Sequence, residues 1–365
     1  MASPAESAPD IVLLQPPAGG LVSGGYRFNQ GLANSLRERG AGTLEEWEPG
    51  HPLPLNPARV VLVDSLYLGR PAGDRIRRWL EDGQRRGYLL GHYLPMEDAS
   101  LDEEQKATWQ RNARTWLSTL RGVFCTGDRQ REAWRRHFPG LGEIHFLPPA
   151  IPDLRTAPYP EKAVSSPVRL VTVGTLFPGK GQHEILDTLR EIRDAPFRWD
   201  LIGSREADPA YASQFAQRLQ DEGLGGSVFL HGCLSPESCA ALLEGAHLCV
   251  SASRFESFGM AHAEALARGV PLLAYDVGDL TLWVTPGPGA WIMDPCDTAA
   301  WRRQLIHLVR EPGSISPPDE APRLPARSWE ETADRLLEVL QPLTAGRGNT
   351  FPDQCRRGRN AKGSR

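Results

Sequence analysis

Long hydrophobic runs are missing from this chain. No stretch of its 365 residues approaches 18 uninterrupted apolar side chains, so no membrane span is expected. A secretory leader is not expected either. MASPAESAPD has no basic start, and only a four-residue apolar run, 11–14, follows it. Cytoplasmic residence is the expectation. Paired cysteines are absent too: the six thiols, at 125, 233, 239, 249, 296 and 355, include no CxxC spacing. That argues against a disulfide framework and against a zinc site. Cys233 and Cys239, with His231 beside them, read as buried structural thiols. An excess of positive charge is lacking, since 41 basic side chains face 45 acidic ones for a net charge of −4. A nucleic-acid surface is therefore not expected. What remains is a soluble globular composition, 40% apolar and 24% charged, in a chain long enough for two domains.

The chain alternates between short apolar runs and helical patterns. A strand-like run at 11–14 leads into a Gly/Pro loop, QPPAGGLVSGG, at 15–25. A helical stripe of Phe28, Leu32, Ala33 and Leu36 follows, and Gly40 stops it. Strand, glycine loop and helix start make a phosphate-friendly unit, because the free amides of the helix start face the loop. Further runs stand at 60–63, 88–90, 123–125 and 144–147, with helical patterns at 75–80 and 106–120. A Pro- and Ser-rich stretch at 150–167 reads as a linker. A second alternation begins at Arg169, with runs at 170–173, 199–202, 228–230, 247–250, 272–275 and 291–293. Helices fit at 182–193, 211–222, 236–244, 260–268, 298–309 and 328–340, the last with Ser328 as N-cap. Two α/β units, each with a mostly parallel sheet, imply a cleft between them.

The richest stretch is 251–278, SASRFESFGMAHAEALARGVPLLAYDVG. It reads as strand end, loop, helix and strand in under thirty residues. Glu256 lies in the loop and Glu264 in the helix. Gly259 lets a diphosphate approach the backbone, and the amides of Met260 and Ala261 can point at it. Two carboxylates suit a diol, since each accepts two hydrogen bonds from neighbouring hydroxyls. The bland alternative is a solvent-facing Glu256 and a capping or salt-bridged Glu264.

The segment from Glu256 to Glu264, with its small-residue helix end and Gly-Val-Pro strand entry, resembles the signature of retaining GT-B glycosyltransferases of family 4. Gly24-Gly25 before a helix resembles the N-terminal glycine loop of these glycosyl transferases group 1. Val173-Gly174 through Lys180-Gly181, Phe229 to Gly232, and Ser328-Trp329-Glu330 resemble other parts of the family, so the likeness covers roughly residues 10–340. It implies two Rossmann-like domains facing each other: 1–155 on the acceptor side, a linker at 156–167, and 168–325 for the nucleotide sugar. A closing helix at 326–343 would return to the first domain, and a basic tail at 344–365 would follow.

The resemblance implies roles for single residues. Glu264 would bind the donor ribose and Glu256 the donor sugar. Lys180 would clamp the diphosphate, a point charge where charge grows on the leaving group. Gly24 and Gly25 would let their loop approach the donor. His231 belongs to the segment along the base, while Ser257, Gly259 and Met260 belong to the donor loop. His92, after the run 88–90, would face sugar and acceptor and donate from a neutral imidazole. Asp64 would shape the acceptor side.

The sequence also departs from the family. Thr175 stands where an arginine is usual, and Arg254 or Arg205, which follows Gly203-Ser204, would replace it. Gly278-Asp279-Leu280 stands where a glutamate is common, and His247 stands where an aspartate is common. No DxD-like pair is placed to carry a metal, so neither metal nor cofactor is expected. The implied reaction moves a hexose from a UDP- or GDP-linked donor with retention. The acceptor is open among lipids, glycans and small metabolites. The alternative is a catalytically inactive sugar-nucleotide-binding homologue. Paired glycosidase carboxylates flank a bond from opposite sides, which one short segment does not offer. The absence of GxGxxG weakens a dinucleotide oxidoreductase. The arginine-rich stretch 70–86 allows a weak peripheral contact with an anionic membrane.

Overall fold

A computed structural model describes residues 11–19, 23–48, 50–53, 60–68, 73–82, 85–98, 101–151, 155, 159 and 164–340. Most of the expected linker and the whole basic tail lie outside the described residues, as do parts of the arginine-rich stretch. Among the described residues no helix is long and apolar enough to cross a membrane.

The first sheet has six strands: β1 (Ile11–Gln15), β2 (Gly42–Glu46), β3 (Val60–Asp64), β4 (Arg86–Gly91), β5 (Gly122–Cys125) and β6 (Glu143–Phe146). Their order is β2-β1-β3-β4-β5-β6, and every pair is parallel. The helices α1 (Gly24–Glu38), α2 (Gly73–Asp82), α3 (Glu103–Leu117) and α4 (Asp128–His137) connect them. β1 and β3 are buried at every position. Helices cover a parallel sheet on both faces, so such strands read as unbroken apolar runs.

The second sheet contains β7 (Val168–Val173), β8 (Phe197–Ile202), β9 (Val228–Gly232), β10 (Leu248–Val250), β11 (Leu272–Tyr275) and β12 (Ala290–Met293). It runs β12-β11-β10-β7-β8-β9, again all parallel. This is the doubly wound dinucleotide-type order, with its switch point between β7 and β10. Its helices are α5 (Gln182–Glu191), α6 (Pro209–Asp221), α7 (Pro236–Gly245), α8 (Met260–Ala267), a short α9 (Leu280–Trp283) and α10 (Thr298–Arg310).

The last helix, α11 (Trp329–Leu340), leaves the second sheet and packs on the first. Ala333, Leu336 and Leu340 join Ile11, Leu13, Phe28 and Leu32 in one core. Ser328 caps α11, its Oγ accepting from Glu331 N at 3.3 Å. Trp329 meets Phe28 edge-on, with ring centroids 5.5 Å apart.

One expectation about the thiols is corrected. Cys233 is exposed and Cys239 half-buried, whereas Cys125 and Cys249 are the buried pair. Cys233 directly follows the C-terminal end of β9, which is the edge strand of its sheet.

The α1–α11 contact is tight at Gly31, where an added Cβ would lie 2.2 Å from Trp329 Cε2. Gly31→Ala is expected to cost about 1–3 kcal/mol through overpacking. Trp329→Ala in the same chain should then cost less than it does alone. Urea unfolding of the unaltered chain, the two single variants and the double variant checks both statements.

Candidate functional site

Ligands in such sheets sit beyond the carboxyl ends of the strands, at the switch points. The two switch points carry the glycine loop after β1 and the 174–181 loop after β7. The other strand ends bring Asp64 as the last residue of β3, His92 after β4 and the 251–259 loop after β10. The topology therefore gathers residues that are far apart in sequence.

The two glutamates are both engaged by cations. Lys180 Nζ lies 2.6 Å from Glu256 Oε1. Lys180 ends a short 3₁₀ turn, Pro178–Lys180, which is tied to the acidic loop by Arg254 N donating to Gly179 O at 2.9 Å. Burial alone would raise the Glu256 carboxyl. The charges of Lys180 and His262, with hydrogen bonds from Lys180 and Ser253, outweigh it and hold the group below its ordinary range. Gly259 sits at φ +92°, a left-handed conformation that a side chain would strain, and α8 starts at the next residue.

Glu264, one turn into α8, is held from the other sheet. Arg27 Nη2 lies 2.6 Å from its Oε1, and Arg27 Nη1 donates to Oε2 at 3.0 Å. The carboxylate is 6% exposed. A Cβ on Gly24 would stand 3.8 Å from Met260 Sδ, so the starts of α1 and α8 face each other. Beside them, Ser257 Oγ donates to the main-chain oxygen of His92 and accepts from Gln130 Nε2 at 3.2 Å. The His92 ring lies against Gly25 and meets Phe28 edge-on at 5.0 Å. Tyr93 and Phe255 meet across the same gap at 5.5 Å. Gly24, Gly25, His92, Ser257, Met260 and Glu264 are thus one cluster, which the Lys180–Glu256 pair flanks.

A second seam lies beside it. The Asp279 carboxylate is 2% exposed and accepts from the amides of Asp128, at 2.5 Å, and Arg129, at 2.8 Å. It therefore caps α4 from the other sheet. The Arg129 guanidinium returns the contact, to Asp276 at 2.8 Å, Gly278 O at 3.0 Å and Thr281 Oγ1 at 2.5 Å.

Other candidates sit elsewhere or are already committed. Arg254 bonds Glu184 at 2.5 Å and Pro295 O at 2.7 Å, over the Tyr275 ring. Arg205 donates to Leu230 O at 2.6 Å. His231 Nε2 lies 2.6 Å from Asp200 Oδ1, which also takes Arg198. Gly203 packs on the 174–181 loop, where a Cβ would lie 2.0 Å from Gly174 O. Asp64 is buried, accepting from Leu66 N at 2.8 Å and Asn29 Nδ2 at 2.7 Å. The cation that reaches a site glutamate across the cleft is Arg27, which sequence reasoning passed over. Its one signal was a basic residue a turn after the glycine pair. Among the described residues no group of three or more His, Cys, Asp or Glu is placed to hold a metal.

The family model described as "Glycosyl transferases group 1" matches residues 159–322. The chain carries a glycosyl transferases group 1 domain. That domain holds Lys180, Glu256, Glu264 and Asp279, while Gly24, Arg27 and His92 precede it. Among curated proteins, the D-inositol 3-phosphate glycosyltransferase of Corynebacterium urealyticum is 29% identical over 199 residues, 53% of this chain and 46% of that protein. That of Xylanimonas cellulosilytica is 25% identical over 240 residues, 62% of this chain and 57% of that protein. The chain thus matches only about half the length of these relatives. Among solved structures, a sucrose-phosphate synthase from Thermosynechococcus elongatus aligns with TM-score 0.65 at 17% identity, covering 91% of this chain and 94% of its own. Anabaena HepE in complex with UDP and glucose aligns with TM-score 0.67 at 15% identity, covering 91% and 99%. The two facing parallel sheets are the GT-B fold, as the sequence led one to expect.

Lys180 and Glu256 are only partly buried, at 24% and 17% exposure, so their coupling falls short of that of a fully dry pair. Lys180→Ala is expected to cost about 1–3 kcal/mol at neutral pH, by leaving the acid without its partner. Glu256→Gln in that background should recover part of the loss. A depressed acid stabilises the fold above its unfolded pKa and loses that contribution as pH falls through the folded one. In Lys180→Ala the acid limb of the stability profile should therefore move to higher pH, as urea midpoints from pH 3 to 7 would record.

Proposed function

We propose that the chain is a retaining glycosyltransferase that moves a hexose from a nucleoside diphosphate sugar to an acceptor hydroxyl. The observation that carries this reading is the meeting of Glu264, from the second sheet, with the Gly24–Gly25 helix start and Arg27 of the first. A ligand with hydroxyls at one end and phosphates at the other fits acids flanked by cations and free amides. The family match, and the complex of HepE with UDP and glucose, support a donor of that class.

In this reading Glu264 takes the ribose hydroxyls and Glu256 those of the sugar. Lys180 and the amides at the start of α8 receive the charge that grows on the leaving phosphate. The acceptor oxygen attacks the anomeric carbon from the face the diphosphate leaves. The carbon–oxygen bond to phosphate breaks, and the acceptor proton passes to the departing phosphate oxygen. The new bond forms on the old face, which gives retention. The paired carboxylates can stay ionised throughout. Lys180 supplies the positive charge, so the reading requires no metal. The seam through Ser257, Asp279 and Arg129 keeps water from the donor. Inositol phosphate joins the acceptor panel because the curated relatives are named for it.

Calorimetric titration with UDP-, GDP- and ADP-linked hexoses tests the reading, followed by NMR of the product's anomeric proton. Binding of one nucleotide series and an unchanged anomeric configuration are expected, with or without chelator. Glu264→Gln should weaken that binding by about 10–100-fold, the loss of charge-assisted hydrogen bonds. Binding without turnover across the acceptor panel would favour the inactive homologue, for which Thr175 is the sequence warrant. No nucleotide binding at all would overturn the reading.

A further inference from the structure

Behind His92, two carboxylates set the direction of every amide. Glu46 Oε1 accepts from Gln15 Nε2 at 3.1 Å. That turns Gln15 Oε1 towards Asn29, whose Nδ2 donates to it at 3.0 Å. The same Nδ2 donates to Asp64 Oδ2 at 2.7 Å, while the other oxygen of Asp64 accepts from Leu66 N. Asn29 is fully buried. Flipping its amide would set Oδ1 against the oxygens of both Asp64 and Gln15, a buried clash of acceptors. Its Oδ1 therefore faces His92 Nε2, at 2.7 Å, and must receive a proton from it.

Burial lowers the pKa of His92, against the opposing pull of Asp64, so at neutral pH the ring carries one proton. Nε2 holds that proton, and Nδ1 is left as a lone pair. Among the described residues Nδ1 makes no hydrogen bond. The Cδ2 edge of the ring lies against Gly25, and Nδ1 is on the other edge. The sequence-based expectation that His92 donates to the sugar is thereby reversed: its N–H is already used.

We propose that Asn29 is a positioning residue that fixes His92 as its Nε2–H tautomer, so that the substrate group facing Nδ1 must be a hydrogen-bond donor. A ligand hydroxyl can serve there, and a carboxylate cannot. A carboxylate would meet a lone pair with the Asp64 charge behind it, 3.9 Å from Nε2. That the group belongs to a donor sugar rests on the glycosyltransferase reading; the tautomer does not.

Nitrogen-15 NMR of the full chain, labelled at histidine, reads the tautomer directly, with His92 assigned by its loss in His92→Gln. A protonated Nε2 and an unprotonated Nδ1 are expected at neutral pH. In Asn29→Ala the two nitrogens should move towards averaged positions. A protonated Nδ1 in the unaltered chain overturns the proposal, whether or not the variant folds. The acceptor role is read by adding UDP-, GDP- and ADP-linked hexoses to the labelled chain. Nδ1 should shift as it accepts a hydrogen bond, and stay unprotonated. An unmoved or protonated Nδ1 in the complex overturns that role. Absence of nucleotide-sugar binding counts against the glycosyltransferase reading, and the spectrum of the free chain still decides the tautomer.

Discussion

A carboxylate almost out of water needs a cation, and Glu264 finds its cation on the other sheet. Taking two charges from water is costly, by several kcal/mol per ion, unless geometry and hydrogen bonds compensate. Arg27 meets the requirement with a charge-assisted hydrogen bond to Oε2 and a charge contact of 2.6 Å to Oε1. Its own guanidinium remains 37% exposed, so part of its hydration is kept. The pair consequently does more than hold an acid. It fixes the distance between the starts of α1 and α8, and with it the place where Gly24 faces Met260.

Both acids at this site are thus paired with cations of the chain itself. On the proposed reading, a sugar nucleotide offers hydroxyls in exchange for contacts that Lys180 and Arg27 now make. Such an exchange can be close to balanced, because each carboxylate oxygen accepts more than one hydrogen bond. The cations need not leave; they can turn from acid to phosphate while the hydroxyls take their place. An empty site that is electrically neutral also avoids the self-repulsion of two unpaired acids. Before that exchange Glu256 is held below its ordinary carboxyl range, chiefly by Lys180.

The fold was legible wherever burial on both faces leaves an unbroken apolar run, as in β1, β3 and β11. The acidic segment was legible because its glycine, its two glutamates and its small-residue helix all serve one local unit. Three elements were not. β2, GTLEE, is an edge strand with one wet face, so it carries no apolar run. α4, DRQREAWRRH, buries only Gln130, Ala133 and Trp134, and its charges hide the stripe. α9 is a single turn. Within the site, Arg27 and Asn29 were passed over because what defines them is a partner in space. Arg27 meets an acid 237 positions away, and Asn29 meets one 35 positions away. Arg254 and Arg205 drew attention by proximity in sequence, yet Glu184 and the carbonyl of Leu230 hold them. Local spacing reports local chemistry, and a site between two sheets is not local.

Asp279 shows how a departure from a family pattern can have a structural cause. In sequence it stood where a glutamate is common. Its carboxylate is instead spent on two amides at the start of α4. An acid one methylene longer would have to buckle to reach the same amides from the same backbone. Burial raises its pKa, with the nearby charge of Asp128 adding to that and the two amide hydrogen bonds opposing it. Gly127, just before α4, leaves no room for a side chain, since a Cβ there would lie 2.2 Å from Ser257 O. The loop that carries Glu256 therefore touches the first unit through main chain, and the turn after β11 touches it through the cap that Asp279 gives α4. Two short backbone contacts of this kind tolerate little sliding.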